Sequence, residues 1–272
     1  MHDVSIPVVQ KSRVPVKSIV LPVEHGAWGF LFEPLLAGLL IVPTLGASAL
    51  SIFVIGAFLS RQPLKFVIGD LTKKKRLPRT EVAIRYAAIF CGISLLGFSL
   101  SAFTVSVQSY IPFILSVPIV IYLLIQDAAR KSREMLSELL AAAVLAASIS
   151  SLAIAGGLGY TLAAALWLTM LARLIPSVLY VRSRLRLEKG KDYSVLIPVL
   201  SHGLALAVVA YIWYAGLGSA LTTTAAGFLL VRSITGLSKY RSKLSAKQLG
   251  VREVISGVVY AATVVIGYYT GI

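Results

Sequence analysis

The sequence predicts an all-α, polytopic membrane protein, a helical bundle of about nine transmembrane helices. Three observations carry this. Of the 272 residues, 57% are hydrophobic and only 14% charged, whereas a soluble domain is about one-quarter charged. The apolar residues gather into runs, each near the ~20 residues a helix needs to cross ~30 Å of hydrocarbon. The cations avoid every second connection between those runs. Runs of this kind satisfy their backbone polarity in lipid only as helices.

Taken in order, residues 1–21 carry Lys11, Arg13 and Lys17 among prolines and read as a loosely ordered cytoplasmic arm. Residues 22–272 form a single transmembrane domain. Its apolar runs lie at about 24–43, 46–68, 82–104, 108–126, 135–156, 159–181, 194–215, 218–237 and 250–271. The first basic segment, the run 26–43 and the small residues Ala47-Ser48-Ala49 mimic a signal peptide. That run is too long for such a leader and contains Glu33, so it reads as the first spanning helix.

The connections 43–47, 104–108, 156–160 and 215–219 hold no Lys or Arg, while 61–85, 127–138, 182–192 and 232–252 hold nearly all of them. The positive-inside rule then puts the N-terminus and the basic loops in the cytoplasm and the C-terminus outside, in the cell inner (plasma) membrane. A net charge of +15 raises the question of nucleic acid, but cations confined to short inter-helix segments argue for topology instead. Cys91 is the only cysteine, which excludes an internal disulfide and Cys-type structural metal sites. No nucleotide-binding loop, zinc-ligand spacing or serine-nucleophile elbow occurs. Gly156-Gly157-Leu158-Gly159 reads as a turn on the outer side.

The most informative stretch is 171–192. If it is helical, Arg173, Ser177, Tyr180 and Arg184 share one face at i, i+4, i+7 and i+11. A membrane helix that turns arginines inward is suited to an anion. Arg182 and Arg186 share another face and read as juxtamembrane, Arg182 being also a candidate site residue. Arg61 closes the second run, with Lys65 one turn on, and Pro63 between them. Arg61-Gln62-Pro63 and Arg173-Leu174-Ile175-Pro176 form a faint repeat four helices apart. Lys73, Lys74, Lys75, Arg76 and Arg79 follow as a solvated or lipid-touching run.

In the first helix, Glu24 and His25 sit at the interface and could handle a proton, although adjacent residues face different directions. Glu33 lies more than two turns deeper. It reads either as a residue paired with Arg173 to lock two helices, or protonated, or as a cavity wall or proton-transfer group. Trp28 is an interfacial anchor or a cavity residue. His202 reads as a neutral histidine bonded to a backbone carbonyl, or as part of the site. Arg252-Glu253 reads as an interfacial pair, and the prolines as helix-end residues apart from Pro118.

Glu24-His25-Gly26-Ala27-Trp28, followed by Glu33-Pro34-Leu35-Leu36 and Gly38, resembles the YwiC-like family of bacterial integral membrane proteins. That resemblance brings a membrane setting and no activity with it. More distantly the layout resembles the UbiA superfamily of intramembrane prenyltransferases, nine-helix bundles with acidic motifs after the second and sixth helices. There the carboxylates hold Mg²⁺ for an allylic diphosphate. This chain has Arg61, Lys65 and a lone Asp70 at the first position and Tyr180-Val181-Arg182-Ser183-Arg184-Leu185-Arg186 at the second. Guanidinium groups bind phosphate directly, so no Mg²⁺ or other cofactor is expected.

The expectation is a cytoplasm-facing, Arg-lined cavity that binds a lipid or isoprenoid phosphate, as a UbiA-like transferase or as a binder. Arg61, Arg173 and Arg184 would clamp the anion, with Glu24 and His25 as the catalytic pair. Trp28, Glu33, Lys65, Ser177, Tyr180, Arg182 and His202 would line the substrate site. Membrane lipids are the expected partners and nucleic acid is not one. The alternatives are a carrier of a small anion or lipid, with Glu33 and Arg173 as its switch pair, and a non-catalytic assembly protein.

Overall fold

A computed structural model describes residues 16–22, 25–74, 76–129, 131 and 134–271. The regular elements among the described residues are all helices, with no strand. A short helix, α1 (Val16–Val20), precedes α2 (His25–Ile41), α3 (Leu45–Leu71) and α4 (Pro78–Ala102). A 3₁₀ turn (Val107–Tyr110) leads into α5 (Ile111–Ala128). Then come α6 (Met135–Ala155), α7 (Tyr160–Glu188), α8 (Leu196–Tyr214), α9 (Ala220–Leu237) and α10 (Ala246–Thr270).

Eight of these segments are long and apolar enough to cross a membrane, the 3₁₀ turn counting with α5. Helix α2 is apolar but has 17 residues, about 25 Å of rise, slightly short of the hydrocarbon thickness. The protein is a polytopic helical bundle. The described end of the N-terminal arm is docked rather than loose: Ile19 and Val20 are buried, and Gln62 Nε2 donates to the Ser18 carbonyl at 2.9 Å.

Small residues set the closest crossing. In the α3–α4 hairpin, Gly56 lies against the backbone at Ser94 and Phe90, and Gly97 against the backbone at Phe53. A side chain at either would push the helices apart, and such close approach is how helices gain contact in lipid. Ser94 Oγ donates to the Phe53 carbonyl across the same crossing (3.0 Å). The hairpin's basic end is pinned by buried Asp70, which accepts from Arg79 at 2.6 and 3.1 Å and from Thr80 at 2.8 Å. Asp70, placed by sequence where a metal-binding carboxylate would stand, is engaged in that turn.

The core centres on α2, α6 and α7, with Leu31, Leu35, Ile149, Leu152, Met170 and Leu174 buried. Three prolines depart from the helix-end expectation: Pro34, Pro63 and Pro176 lie inside α2, α3 and α7. For Pro63 and Pro176 the reason is that α3 and α7 run on past their apolar segments, to Leu71 and Glu188, carrying polar turns beyond the proline. A proline there cannot donate to the carbonyl four residues earlier, which leaves a polar backbone group inside the bundle. At the opposite end, Gly157 turns the chain between α6 and α7 with φ +81°, a value that favours glycine.

Candidate functional site

Four charged side chains from four helices meet inside the bundle. Arg173 of α7 is 1% exposed, and its Nε lies 3.5 Å from Glu33 Oε2 of α2. Its Nη1 lies 3.6 Å from Glu253 Oε2 of α10 and donates to Ser177 Oγ, while Nη2 donates to the Glu253 carbonyl at 2.9 Å. Arg232 of α9 completes the group, with Nη1 2.7 Å from Glu253 Oε1 and 2.9 Å from Ser256 Oγ.

Two cations and two carboxylates balance, which permits ionised groups to stay this deep. Yet hydrogen-bonding capacity is left over. Glu33 Oε2, Arg173 Nε, Arg232 Nε and Glu253 Oε1 are buried without a hydrogen-bond partner, and Glu33 Oε2, Arg173 Nε and Glu253 Oε1 make ion pairs.

Aromatic and small residues shape the surround. The Arg232 guanidinium lies over the Tyr180 ring at 4.8 Å, a cation–π contact. His202 stands edge-on to that ring, 6.3 Å between centroids. Its Nδ1 is 2.8 Å from the Pro198 carbonyl, which can only accept, so Nδ1 carries the proton and donates. Nε2 has no partner. Gly257 makes room for Glu33: a Cβ there would overlap the carboxylate. Gly236 does the same for the Tyr180 hydroxyl.

A groove of about 220 Å³ between α2 and α10 reaches this network from the lipid-facing side. Its walls include Trp28, Phe32, Leu36, Val254 and Val258. Among the described residues that line it, Glu33 is the one with a charge. Trp28 stacks on Phe32 (centroids 6.0 Å apart) and meets Phe58 edge-on (5.6 Å), so its ring is fixed as a groove wall.

The face predicted from spacing is turned inward: Arg173, Ser177, Tyr180 and Arg184 are all buried. The three-arginine clamp is not assembled. Arg61 forms a bidentate pair with buried Asp127 of α5, at 2.7 and 3.0 Å. Arg184, about 16 Å along α7 from Arg173, bonds Glu188 at 2.8 Å and the Ser242 carbonyl at 2.5 Å. It fastens the end of α7 to the segment before α10. Each arginine has found a carboxylate of its own, so charge compensation within the fold separates what the sequence placed together. Lys65 lies one turn beyond Arg61 on α3, half-buried. Arg182 pairs with Glu138 of α6 at 2.7 Å. Glu24 lies outside the described residues, and of His25 only its place as the first residue of α2 is described.

Glu253 corrects an expectation, since it is a buried centre of the network and not an interfacial residue. Helix α10 begins at Ala246, so Glu253 lies two turns inside it. Glu253, Ser256, Gly257 and Tyr260 recur at i, i+3, i+4 and i+7, a polar face that was visible in the sequence. Among the described residues, no three His, Cys, Asp or Glu side chains converge.

The fold and this intramembrane charge network define the class, a multi-pass membrane protein with a polar site inside its bundle. Within that class, residues 21–155 match the family model described as YwiC-like protein, a match of just under half the chain that takes in α2 to α6. Glu33 falls within the matched part, and Arg173, Arg232 and Glu253 fall beyond it. No curated protein and no solved structure matches the chain.

Proposed function

We propose that the protein binds a lipid or isoprenoid phosphate taken from the cytoplasmic leaflet, without Mg²⁺. The observation that carries this reading is the continuity of an apolar, lipid-facing groove with a buried guanidinium. Glu33 lines the α2–α10 groove partway along its length, and Glu33 is ion-paired to Arg173. An apolar tail fits the groove walls. A phosphate head group displaces the Glu33 carboxylate and takes its place on Arg173, with Arg232 next to it beyond Glu253.

Guanidinium groups hold phosphate in bidentate geometry without a bridging metal. Internal competition gives the reading a signature: Glu33 opposes the ligand and Arg173 holds it. A UbiA-like transfer reaction would use the same head-group position, with Glu24 and His25 at the start of α2 as its proton-handling pair.

The test is binding of a polyprenyl phosphate to the purified protein in EDTA. Glu33→Gln should tighten binding about tenfold, and Arg232→Gln should weaken it at least about tenfold, each step about 1.4 kcal/mol. The charge-balanced double variant Glu33→Gln/Arg173→Gln should fold and fail to bind. Binding that needs a divalent cation would reject the direct contact.

A second reading, a carrier with Glu33 and Arg173 as its switch pair, is favoured by one observation. Pro34 and Pro176 interrupt the backbone hydrogen bonding of α2 and α7 beside those two residues. Counter-flow of a lipid phosphate across reconstituted vesicles supports it, and binding with no exchange rejects it.

A further inference from the structure

Helix α7 presents a second face, opposite the one that carries Arg173. Between α6 and α8 this face carries a partly exposed stripe, Leu168, Leu171, Ile175, Leu179, Arg182 and Arg186, spaced by three or four residues. The stripe is apolar until its last turn and a half, then basic. At the basic end it opens into a cavity of about 360 Å³ with Leu179, Arg182, Ser183 and Arg186 as floor. Met135 of α6 forms one wall, and Tyr193, Ser194 and Ile197 the other. Exposed Leu196, Ile197 and Leu200 on α8 and Leu136 on α6 flank it, as lipid-facing surfaces do.

We infer that this crevice is a binding site for one anionic phospholipid of the cytoplasmic leaflet. The phosphodiester sits between Arg182 and Arg186, and an acyl chain lies along Leu179 and Ile175. Complementarity runs along the whole length, since a phospholipid is apolar and then anionic in the sense that the stripe is apolar and then cationic. The two arginines are one turn apart, with Cβ atoms about 6 Å from each other, a spacing that lets both reach one phosphate.

Their present contacts hold them in place. Arg182 Nη1 donates to Glu138, and Arg186 Nε donates to the Asp192 carbonyl at 2.5 Å. The Tyr193 side chain and the Ser194 hydroxyl add polar groups at the wall. Among the described residues that line the cavity, Asp192 is the one carboxylate. Exposed Lys189 and Lys191 in the same loop leave positive charge in excess of Asp192 and Glu138, in the region where basic pockets between helices collect anionic head groups. This site shares no residue with the Glu33–Arg173 network and does not rest on the function proposed for it.

The test is native mass spectrometry, or quenching of labelled lipid, on the full chain with phosphatidylglycerol and phosphatidylcholine in parallel. Phosphatidylglycerol should be retained about tenfold more strongly. The Arg182→Gln/Arg186→Gln variant should lose that preference while its thermal unfolding midpoint stays within a few degrees of the parent. The Glu33→Gln/Arg173→Gln variant, whose α2–α10 groove no longer holds a phosphate, should keep the preference, which separates this site from that groove. Equal retention of the two lipids, or an unchanged preference in the double variant, overturns the proposal. Competition by millimolar inorganic phosphate alone, with no dependence on acyl chains, would assign the cavity to a free anion and overturn the lipid assignment.

Discussion

Arg173 of α7 stands between two carboxylates from helices at opposite ends of the chain. Its Nε is 3.5 Å from Glu33 and its Nη1 is 3.6 Å from Glu253. Three helices are thereby joined at one guanidinium that is almost wholly shielded from solvent. The same contact stabilises the bundle and holds the group proposed to bind phosphate, so the two roles have to be separated by the choice of variant.

Removing one charge alone should be costly. Arg173→Ala leaves Glu33 and Glu253 short of a partner in low dielectric, and breaking a buried pair from one side costs about 3–5 kcal/mol. Glu33→Gln/Arg173→Gln removes one charge of each sign and should cost less than half as much. Detergent-resistant unfolding of the purified variants measures the difference. Equal losses would mean that Glu33 is not the partner that matters to Arg173.

Gly257→Ala should destabilise by about 1–3 kcal/mol, the usual range for overpacking a core, because the new methyl overlaps the Glu33 carboxylate. Combined with Glu33→Ala, the penalty should largely vanish. A double-mutant cycle reads this coupling, and additive losses would place Glu33 away from Gly257.

Arg61→Ala tests whether this arginine belongs to the site. Asp127 would lose its bidentate partner, but Arg61 is about one-third exposed. The stability loss should be near 1–2 kcal/mol. Polyprenyl phosphate affinity should be unchanged. A loss of affinity at unchanged stability would restore Arg61 to the binding site.

Orientation follows from charge placement. A cysteine introduced at Ser106, in the Lys- and Arg-free connection before α5, should react with a membrane-impermeant maleimide added outside intact cells, in a Cys91→Ser background. One introduced at Ser238, after α9, should react only once the membrane is opened. The reverse pattern would invert the topology.

Helix identity and the spacing of charged loops were legible because length, hydropathy and cation placement are local properties. So was the inward face of α7, since its four polar residues follow a helical period in one segment. Partner choice was not. Whether Arg61 meets Asp127 or Arg173 depends on which helices pack, and one sequence holds no record of that. Glu253 was obscured by its neighbour Arg252, which gives the pair an interfacial look, although the period of Ser256, Gly257 and Tyr260 marks the face it belongs to. Pro63 and Pro176 were misplaced because apolar runs end before their helices do, and α7 continues for a dozen residues beyond Pro176 on charged turns.

The most direct measurement is the affinity of the purified protein for a polyprenyl phosphate in EDTA, compared between the parent and Glu33→Gln. Release of Arg173 from its internal carboxylate should strengthen binding about tenfold, with no gain for the corresponding phosphate-free polyprenol. Unchanged or weaker phosphate binding in Glu33→Gln would contradict the account, leaving the buried pair as a helix lock alone.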